Sequence, residues 1–288
     1  MKNVRPRASG SQPPVRPKKL LGQHFLRSQK ALNTLRRRAE LHPEKICLEI
    51  GPGEGVLTHE LLSAGKKVIA VEKDTESLAH LNKRFAAEIK SKKLILIDGD
   101  IRESLQSDSE LFSKILSGKS YSVCANIPYY LTGLLIETLL EHPHQPGHML
   151  LMLQKEVAER LVARDAKQSV LSIATATFST VKYVEKVPAG AFFPPPKVDS
   201  AIVEFTSVVP HALEDKTINP KEFLDFVKCC FIGKRKQLGG VVRNLNTEMD
   251  EVGAAKIFTE AGIDLKARPE TLGLKEWEKL YTSFKNCQ

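Results

Sequence analysis

From about residue 45 onward, short apolar runs alternate with segments whose apolar residues recur every three or four positions, and that alternation restricts the chain to a parallel α/β sheet. Lys45–Ile50, Lys67–Val71, Leu94–Ile97, Tyr121–Ala125 and His148–Leu153 read as strands, continuous in apolar character as a strand buried on both faces must be. Between them, Leu57, Leu61 and Leu62 share one helical face that Gly65 can end. Leu78, Leu81, Phe85 and Ile89 share another behind Asp74, a good N-cap. A further helix places Val157 and Leu161 inward, and residues 169–179 show no single period. Val181–Val187 and Ala201–Phe205 are β-rich and flank Pro194-Pro195-Pro196. Residues 207–219 are polar and mark an expected linker between a sheet domain over 18–206 and a helical domain over 220–288. In the latter, Phe223, Phe226, Val227, Cys230 and Phe231 form one stripe.

Charge is distributed unevenly along the 288 residues. Of 43 Lys and Arg, eleven fall in the first 39 residues, which hold no Asp or Glu; the remainder carries 32 basic against 34 acidic residues. The whole excess of +9 therefore belongs to the N-terminal stretch. Residues 1–17, with four prolines and no core-forming pattern, read as a flexible basic arm suited to a phosphate backbone or simply solvated. A transit peptide ranks last, because the prolines spoil an amphipathic helix. No apolar run approaches the ~20 residues of a membrane span. Five cysteines without a CxxC pair argue against disulfides or structural zinc, and for a reducing cytoplasm.

Gly51-Pro52-Gly53-Glu54-Gly55 follows the first of these strands and opens a helix, so the backbone can approach a ligand without a Cβ in the way. The spacing is GxGxG, not the GxGxxG of a dinucleotide site. Glu72 ends the next strand, 21 residues after Gly51, where a carboxylate can accept ribose hydroxyls. Asp100 ends the third, where it can accept an adenine amino group. Together these outline an adenosine pocket at the C-terminal edge of the sheet. Glu49 and Glu54 flank the glycines with no Lys or Arg following, which suits a cationic ligand and points to S-adenosylmethionine.

Asn126-Ile127-Pro128-Tyr129 closes the fourth strand. It fits the [Asp/Asn/Ser]-[Ile/Pro]-Pro-[Tyr/Phe] pattern of enzymes that methylate exocyclic amino groups of bases. The adenine N6 lone pair is delocalised into the ring and nucleophilically weak. The Asn126 side-chain oxygen and the Ile127 carbonyl can accept its two N–H bonds, drawing the nitrogen towards tetrahedral geometry and aiming the lone pair. Pro128 stiffens the turn, and Tyr129 offers a flat face to an extruded base.

With these motifs in place the sequence closely resembles the ribosomal RNA adenine dimethyltransferases. The resemblance runs from Lys18 to Tyr281 through Lys18–Leu26, Leu48–Thr58, Ala70–Asp74, Gly99-Asp100, Asn126–Tyr129, Gln154–Leu161, Val187–Ser200 and Phe231–Leu238, in the family's order. It implies a seven-stranded, Rossmann-like class I methyltransferase sheet with a small all-helical C-terminal domain. It implies S-adenosylmethionine as methyl donor and no metal. The implied cofactor contacts are His24, Leu26, Gly51, Gly53, Glu72, Asp100 and Asn126, with Phe192 stacking on the target adenine opposite Tyr129. The implied substrate is small-subunit (16S) rRNA, dimethylated at two adjacent adenines near its 3′ end, by a cytoplasmic monomer. Lys18, Lys19, Lys234, Arg235 and Lys236 are the expected RNA contacts. The family's large-subunit resistance branch and a non-catalytic assembly factor are the alternatives; Arg268-Pro269-Glu270-Thr271-Leu272 resembles the small-subunit branch. Position 24 is His where the bacterial branch more often has Asn, and Gln168-Ser169 replaces a usual Tyr-Gly.

Some features carry less. His142, His144 and His148 lie in a proline-rich loop with no completing carboxylate or Cys, so a metal is not expected there. Cys229-Cys230 reads as a buried helix pair, and Trp277 as the anchor of the last helix. Lys30, Arg36, Arg37 and Arg38 form either an RNA-facing or a solvated helix face.

Overall fold

The computed structural model describes residues 17–18, 22–106, 108–163, 167–209, 211–233, 236–245 and 249–287. The arm at 1–16, Lys19, Lys234 and Arg235 lie outside these residues. The strands in chain order are β1 Phe25–Leu26, β2 Ile46–Ile50, β3 Lys67–Glu72, β4 Leu94–Asp98, β5 Tyr121–Asn126, β6 His148–Gln154, β7 Thr180–Val187, β8 Phe192–Phe193 and β9 Ser200–Thr206. Helices α1 Gln29–Leu41, α2 Val56–Ser63, α3 Thr75–Arg84, α4 Ala86–Lys90, α5 Ile101–Ser104, α6 Thr132–Glu141, α7 Lys155–Leu161 and α8 Val170–Phe178 alternate with them. After β9 come α9 Pro220–Ile232, α10 Leu238–Arg243, α11 Glu251–Ala261 and α12 Leu274–Lys285.

Seven strands form one sheet in the order β4-β3-β2-β5-β6-β9-β7. β4 through β6 are parallel; β9 joins β6 antiparallel, and β7 joins β9 antiparallel. The chain runs outward from β2 to β4 and then restarts on the other side of β2 with β5. The switch point of the sheet, where open α/β folds hold ligands, therefore lies between Ile50 and its register partner Ala125. β1 and β8 form a separate two-stranded antiparallel pair beside it.

Alternation of side chains gives the sheet two apolar faces. On one, Cys47, Val68, Ala70, Leu150, Met152 and Ile202 pack against α1, α2 and α3. On the other, Leu48, Ile69, Val123, Leu151 and Val203 pack against α6 and α8, and the same cluster continues into Phe223, Val227 and Trp277 of the C-terminal helices. Within the expected linker, the Val209 and Ala212 amides donate to the Phe178 and Thr177 carbonyls, and Leu213 is buried in the same cluster. The stripe on α9 is buried as its spacing requires, while Cys229 is exposed and only Cys230 is buried, so the two do not form a buried pair. Residues 169–179 prove helical. Ser169 caps α8 in a capping box with Ser172, and Ile173, Ala174, Thr175, Thr177 and Phe178 are all buried, which erases any one-sided period.

Candidate active site

A pocket opens along the C-terminal edge of the sheet, lined by Gly51, Gly53, Glu72, Asp100, Asn126 and Tyr129 among others, so the structure brings the dispersed motif residues together. His24, Leu26 and Pro128 line it too. Gly51 and Gly53 have φ of 65° and 56°, a region L side chains rarely adopt. A Cβ on Gly53 would lie 2.8 Å from Cε1 of Phe25, whereas one on Gly51 would meet no protein atom within 4 Å. That open space beside the switch point is a cradle a side chain would fill, and it fits a nucleoside-sized ligand.

Glu72 is fixed by the backbone. Its Oε2 accepts the Gly53 amide at 3.0 Å, and its Oε1 accepts the Lys73 and Asp74 amides at 2.9 Å each. Burial pushes its carboxyl above the ordinary range, and these three bonds draw it back. The carboxylate thus ties the glycine turn to the end of β3 and retains lone pairs for a ribose. Asp100 caps α5 and binds Arg102 (Nη2–Oδ2 2.6 Å) and Lys73 (Nζ–Oδ2 2.9 Å); its bonds to Arg102 and Lys73 hold it well below the usual carboxylate range. It stands ionised at the pocket edge.

The two carboxylates that flank the glycines are not two free negative charges. Glu54 pairs with Arg27 at 2.7 Å, a partner from outside the loop. Glu49 is buried beneath the glycines and accepts the Thr58 hydroxyl at 2.7 Å; burial pushes it up to about 8, with the nearby Glu72 charge adding to the rise. The pocket wall therefore carries less negative charge than the sequence suggests.

Asn126 ends β5, and its Nδ2 donates to the His24 carbonyl at 3.0 Å. That bond leaves Oδ1 as the acceptor presented to the pocket. The Ile127 amide donates to the Met152 carbonyl at 3.2 Å, and Pro128 starts the 3₁₀ turn Tyr129–Leu131. The Tyr129 hydroxyl is 3.0 Å from Ser200 Oγ, which fixes the ring to β9. The His24 ring lies 6.0 Å from the Tyr129 ring, 24° from parallel, and its Nδ1 donates to the Pro194 carbonyl at 2.7 Å.

Phe192 does not line this pocket. It is 4% exposed, pairs with Leu26 across β1 and β8, and belongs to the apolar cluster under α1. Lys18 is bound to Asp74 and Glu76 beside the pocket. Lys236 is exposed after α9. Of the α1 cations, Lys30 pairs with Glu185 at 2.8 Å, Arg38 with Glu204 at 2.9 Å and Arg36 with Glu60 at 3.6 Å; Arg37 is exposed.

The histidine loop is structural. His142 stacks on Phe112 at 3.9 Å, and His144 Nε2 donates to the Lys119 carbonyl at 2.9 Å. His148 instead belongs to a cluster that sequence reading missed, with His42 and Glu204. Among the described residues these three are the His, Cys, Asp and Glu group with ligand-like spacing. Both Nε2 atoms face Glu204 Oε1, at 3.2 and 3.3 Å, while Oε2 takes Arg38. The two imidazoles stack 3.3 Å apart and 16° from parallel above that shared oxygen. The group therefore reads as a hydrogen-bonded cluster that docks α1 on the sheet. Partners 162 residues apart leave no local signal.

The sheet order, the glycine cradle and the Asn126–Tyr129 turn define a methyltransferase of the class that acts on base amino groups. A family model for ribosomal RNA adenine dimethylase matches residues 15–285. A ribosomal RNA small subunit methyltransferase A from Dehalococcoides mccartyi is 36% identical over 275 residues, covering 94% of this chain and 89% of its own. The solved structure of a dimethyladenosine transferase from Plasmodium falciparum superposes with a TM-score of 0.74 at 26% identity, covering 92% of this chain and 98% of that one. The 23S rRNA methyltransferase ErmE shares the fold, with a TM-score of 0.69 at 24% identity, over 91% of this chain and 99% of its own. The chain belongs to the ribosomal RNA adenine dimethylase family.

Proposed function

We propose that the chain transfers methyl groups from S-adenosylmethionine to the N6 amino groups of two adjacent adenines near the 3′ end of small-subunit rRNA, during maturation of that subunit. The observation that carries this reading is the Asn126 amide at the pocket, whose Nδ2 is held by the His24 carbonyl so that its oxygen is left to accept. Gly51, Gly53 and Leu26 would hold the cofactor by close backbone approach, Glu72 its ribose and Asp100 its adenine edge. When bound, S-adenosylmethionine supplies an electrophilic sulfonium methyl carbon.

Asn126 Oδ1 and the Ile127 carbonyl accept the two N6–H bonds of an extruded adenine. Tyr129, fixed by Ser200, supplies a face that offsets the cost of unstacking it. The nitrogen lone pair then points at the methyl carbon, a new C–N bond forms as the donor's C–S bond breaks, and the N6 proton leaves to water. No strong general base is required, because the donor is already activated. The same geometry accepts a singly methylated amine for a second transfer.

The relatives' naming as small-subunit enzymes favours 16S over 23S rRNA, and the small ribosomal subunit is the proposed partner of a monomeric chain. Lys236, Lys234, Arg235, Lys19 and the basic arm are proposed to meet the phosphate backbone. No described helix is long and apolar enough to cross a membrane. The rRNA substrate and the free cysteines support a place in the cytoplasm.

The test uses methyl-labelled donor with separate samples of undermethylated small subunits and large-subunit RNA, digested to nucleosides. Label as N6,N6-dimethyladenosine in the small-subunit sample alone is expected. Label in the large-subunit sample would assign the chain to the resistance branch. No label with either would remove the catalytic reading.

A further inference from the structure

We infer that a row of lysines at the foot of the sheet, on the edge opposite the pocket, is a second contact surface for the phosphate backbone of RNA. The inference rests on the rRNA reading above and adds a surface to it.

Parallel strands bring their starts to one edge. Lys45 precedes β2, Lys67 opens β3 and Lys93 precedes β4. The Lys67 amide donates to the Lys45 carbonyl at 2.8 Å, and the Val68 amide donates to the Lys93 carbonyl at 2.9 Å. Three adjacent strands, about 4.8 Å apart, thus each present a lysine at one level. Lys90 ends α4, and Lys92 follows in the turn that leads into β4. Lys67 is half-buried and the other four are exposed.

The fold makes no use of these five ammonium groups. Among the described residues none has an ion pair or donates a hydrogen bond from Nζ. The acids nearest in sequence, Glu44 and Glu88, are half-buried and pair with none of them. Lys66 shows the contrast: it is buried, and its ammonium donates to the His42 and Glu44 carbonyls at 2.8 and 2.6 Å. At the pocket edge Lys18, Arg27, Lys73 and Arg102 all meet carboxylates. The free row is also unfavourable for the isolated chain. Like charges on neighbouring strands repel, and Lys92 has φ of 58°, a conformation that glycine takes without strain. The C-terminal end of α4 favours a cation, which accounts for Lys90 but for neither Lys45 nor Lys67.

The partner is a polyanion, and its chemistry is that of phosphate backbone rather than acidic protein. A protein interface has an apolar centre; none of the exposed large hydrophobic side chains lies on β2, β3, β4 or α4. Cations alone suffice for backbone contact, which gains by releasing counterions. Five strand rises of about 3.3 Å separate Lys67 from Glu72, so the row stands about 17 Å from the pocket. It therefore meets a part of the folded RNA separate from the nucleotide that reacts.

The test neutralises the row in the full chain as Lys67→Gln, Lys92→Gln and Lys93→Gln combined. Binding to undermethylated small-subunit RNA is titrated against salt, beside methyl transfer to a short hairpin that carries the target adenines and thermal melting. The combined variant is expected to reduce the slope of log K against log salt by about 2–3, and to bind about tenfold or more weakly at about 0.1 M salt. Its kcat/KM on the short hairpin and its donor affinity are expected to match the unaltered chain, with a melting temperature no lower. Unaltered slope and affinity for small-subunit RNA would overturn the inference. So would equal loss on the short hairpin, which would put the row at the pocket, or binding of polyglutamate that needs the lysines while RNA binding does not, which would assign it to an acidic protein. The salt slope is read without any methyl moving, so absent transfer by the unaltered chain counts against the functional reading alone.

Discussion

The side-chain amide of Asn126 hangs from the backbone carbonyl of His24, 102 residues earlier, at 3.0 Å. A main-chain oxygen thereby decides which end of the amide faces the substrate. Asn126→Asp keeps an oxygen but loses the donor that aims it, and Asn126→Ala loses both. Both variants should reduce single-turnover methyl transfer by about 10²-fold or more, since misplacement of this order costs that much. Donor affinity, measured by calorimetry, should change little. Transfer at the unaltered rate by Asn126→Asp would show that the His24 bond does not orient catalysis.

Glu49 gives donor binding a pH dependence. Burial pushes its carboxyl up to about 8, so the group holds its proton at neutral pH. A cationic ligand favours the ionised form and must expel that proton. Affinity should therefore rise with pH between about 6 and 8 and level off above. Titrations at pH 7 in buffers of different ionisation enthalpy should reveal proton release. Glu49→Gln should bind more weakly and without the slope.

The two glycines of the loop should fail differently when changed to alanine. Gly53→Ala forces a methyl against the Phe25 ring in a left-handed conformation and should cost about 2 kcal/mol or more of stability. Gly51→Ala meets open space, so its stability loss should stay near the ~1 kcal/mol of the conformation alone. Its methyl occupies the ligand's volume instead, so donor affinity should fall far more than stability. Melting curves and calorimetry on the same samples separate the two.

The cluster at the foot of the sheet should make the fold acid-labile. Burial, then the neighbouring His42, pushes His148 below its ordinary value near 6.5. The unfolded chain therefore takes the proton first, and stability falls as pH drops below about 6.5. Burial works against Glu204 as a carboxylate, but its bonds from His42, Arg38 and His148 outweigh that and hold it low. Its contribution is present above the ordinary carboxylate range and is lost on acidification, so both groups act in the same direction. Melting temperature should drop between pH 7 and pH 5, and Glu204→Gln should cost about 1.5–3 kcal/mol at pH 7. A flat profile would mean that the stacked pair accepts a proton in place.

What the sequence made legible was local. Every strand of the parallel half was visible because strands buried on both faces are unbroken apolar runs, and the observed strands end within a residue of the expected ones. Gly51, Glu72, Asp100 and Asn126 were legible as a site because the strand-to-helix pattern sends all four to one sheet edge. The β1–β8 pair was not legible, since two residues carry no period, and with it went the burial of Phe192 against Leu26. Arg27 was invisible as the partner of Glu54, as was Arg38 as the partner of Glu204, because both meet their carboxylates only through tertiary packing. α8 hid its type by being buried nearly all round.

The apolar cluster that runs without interruption from Val203 in the sheet to Phe223 and Trp277 in the C-terminal helices makes the molecule a single gauge. A helical domain on a loose tether would let the enzyme grip RNA at many separations from the reacting adenine. Here the surface beyond α9, where Lys236 stands, holds a set span from Asn126. If Lys236 meets RNA as proposed, a folded RNA would be selected by whether its grip point and its target adenine lie that far apart, and bases between the two need not be touched to be measured.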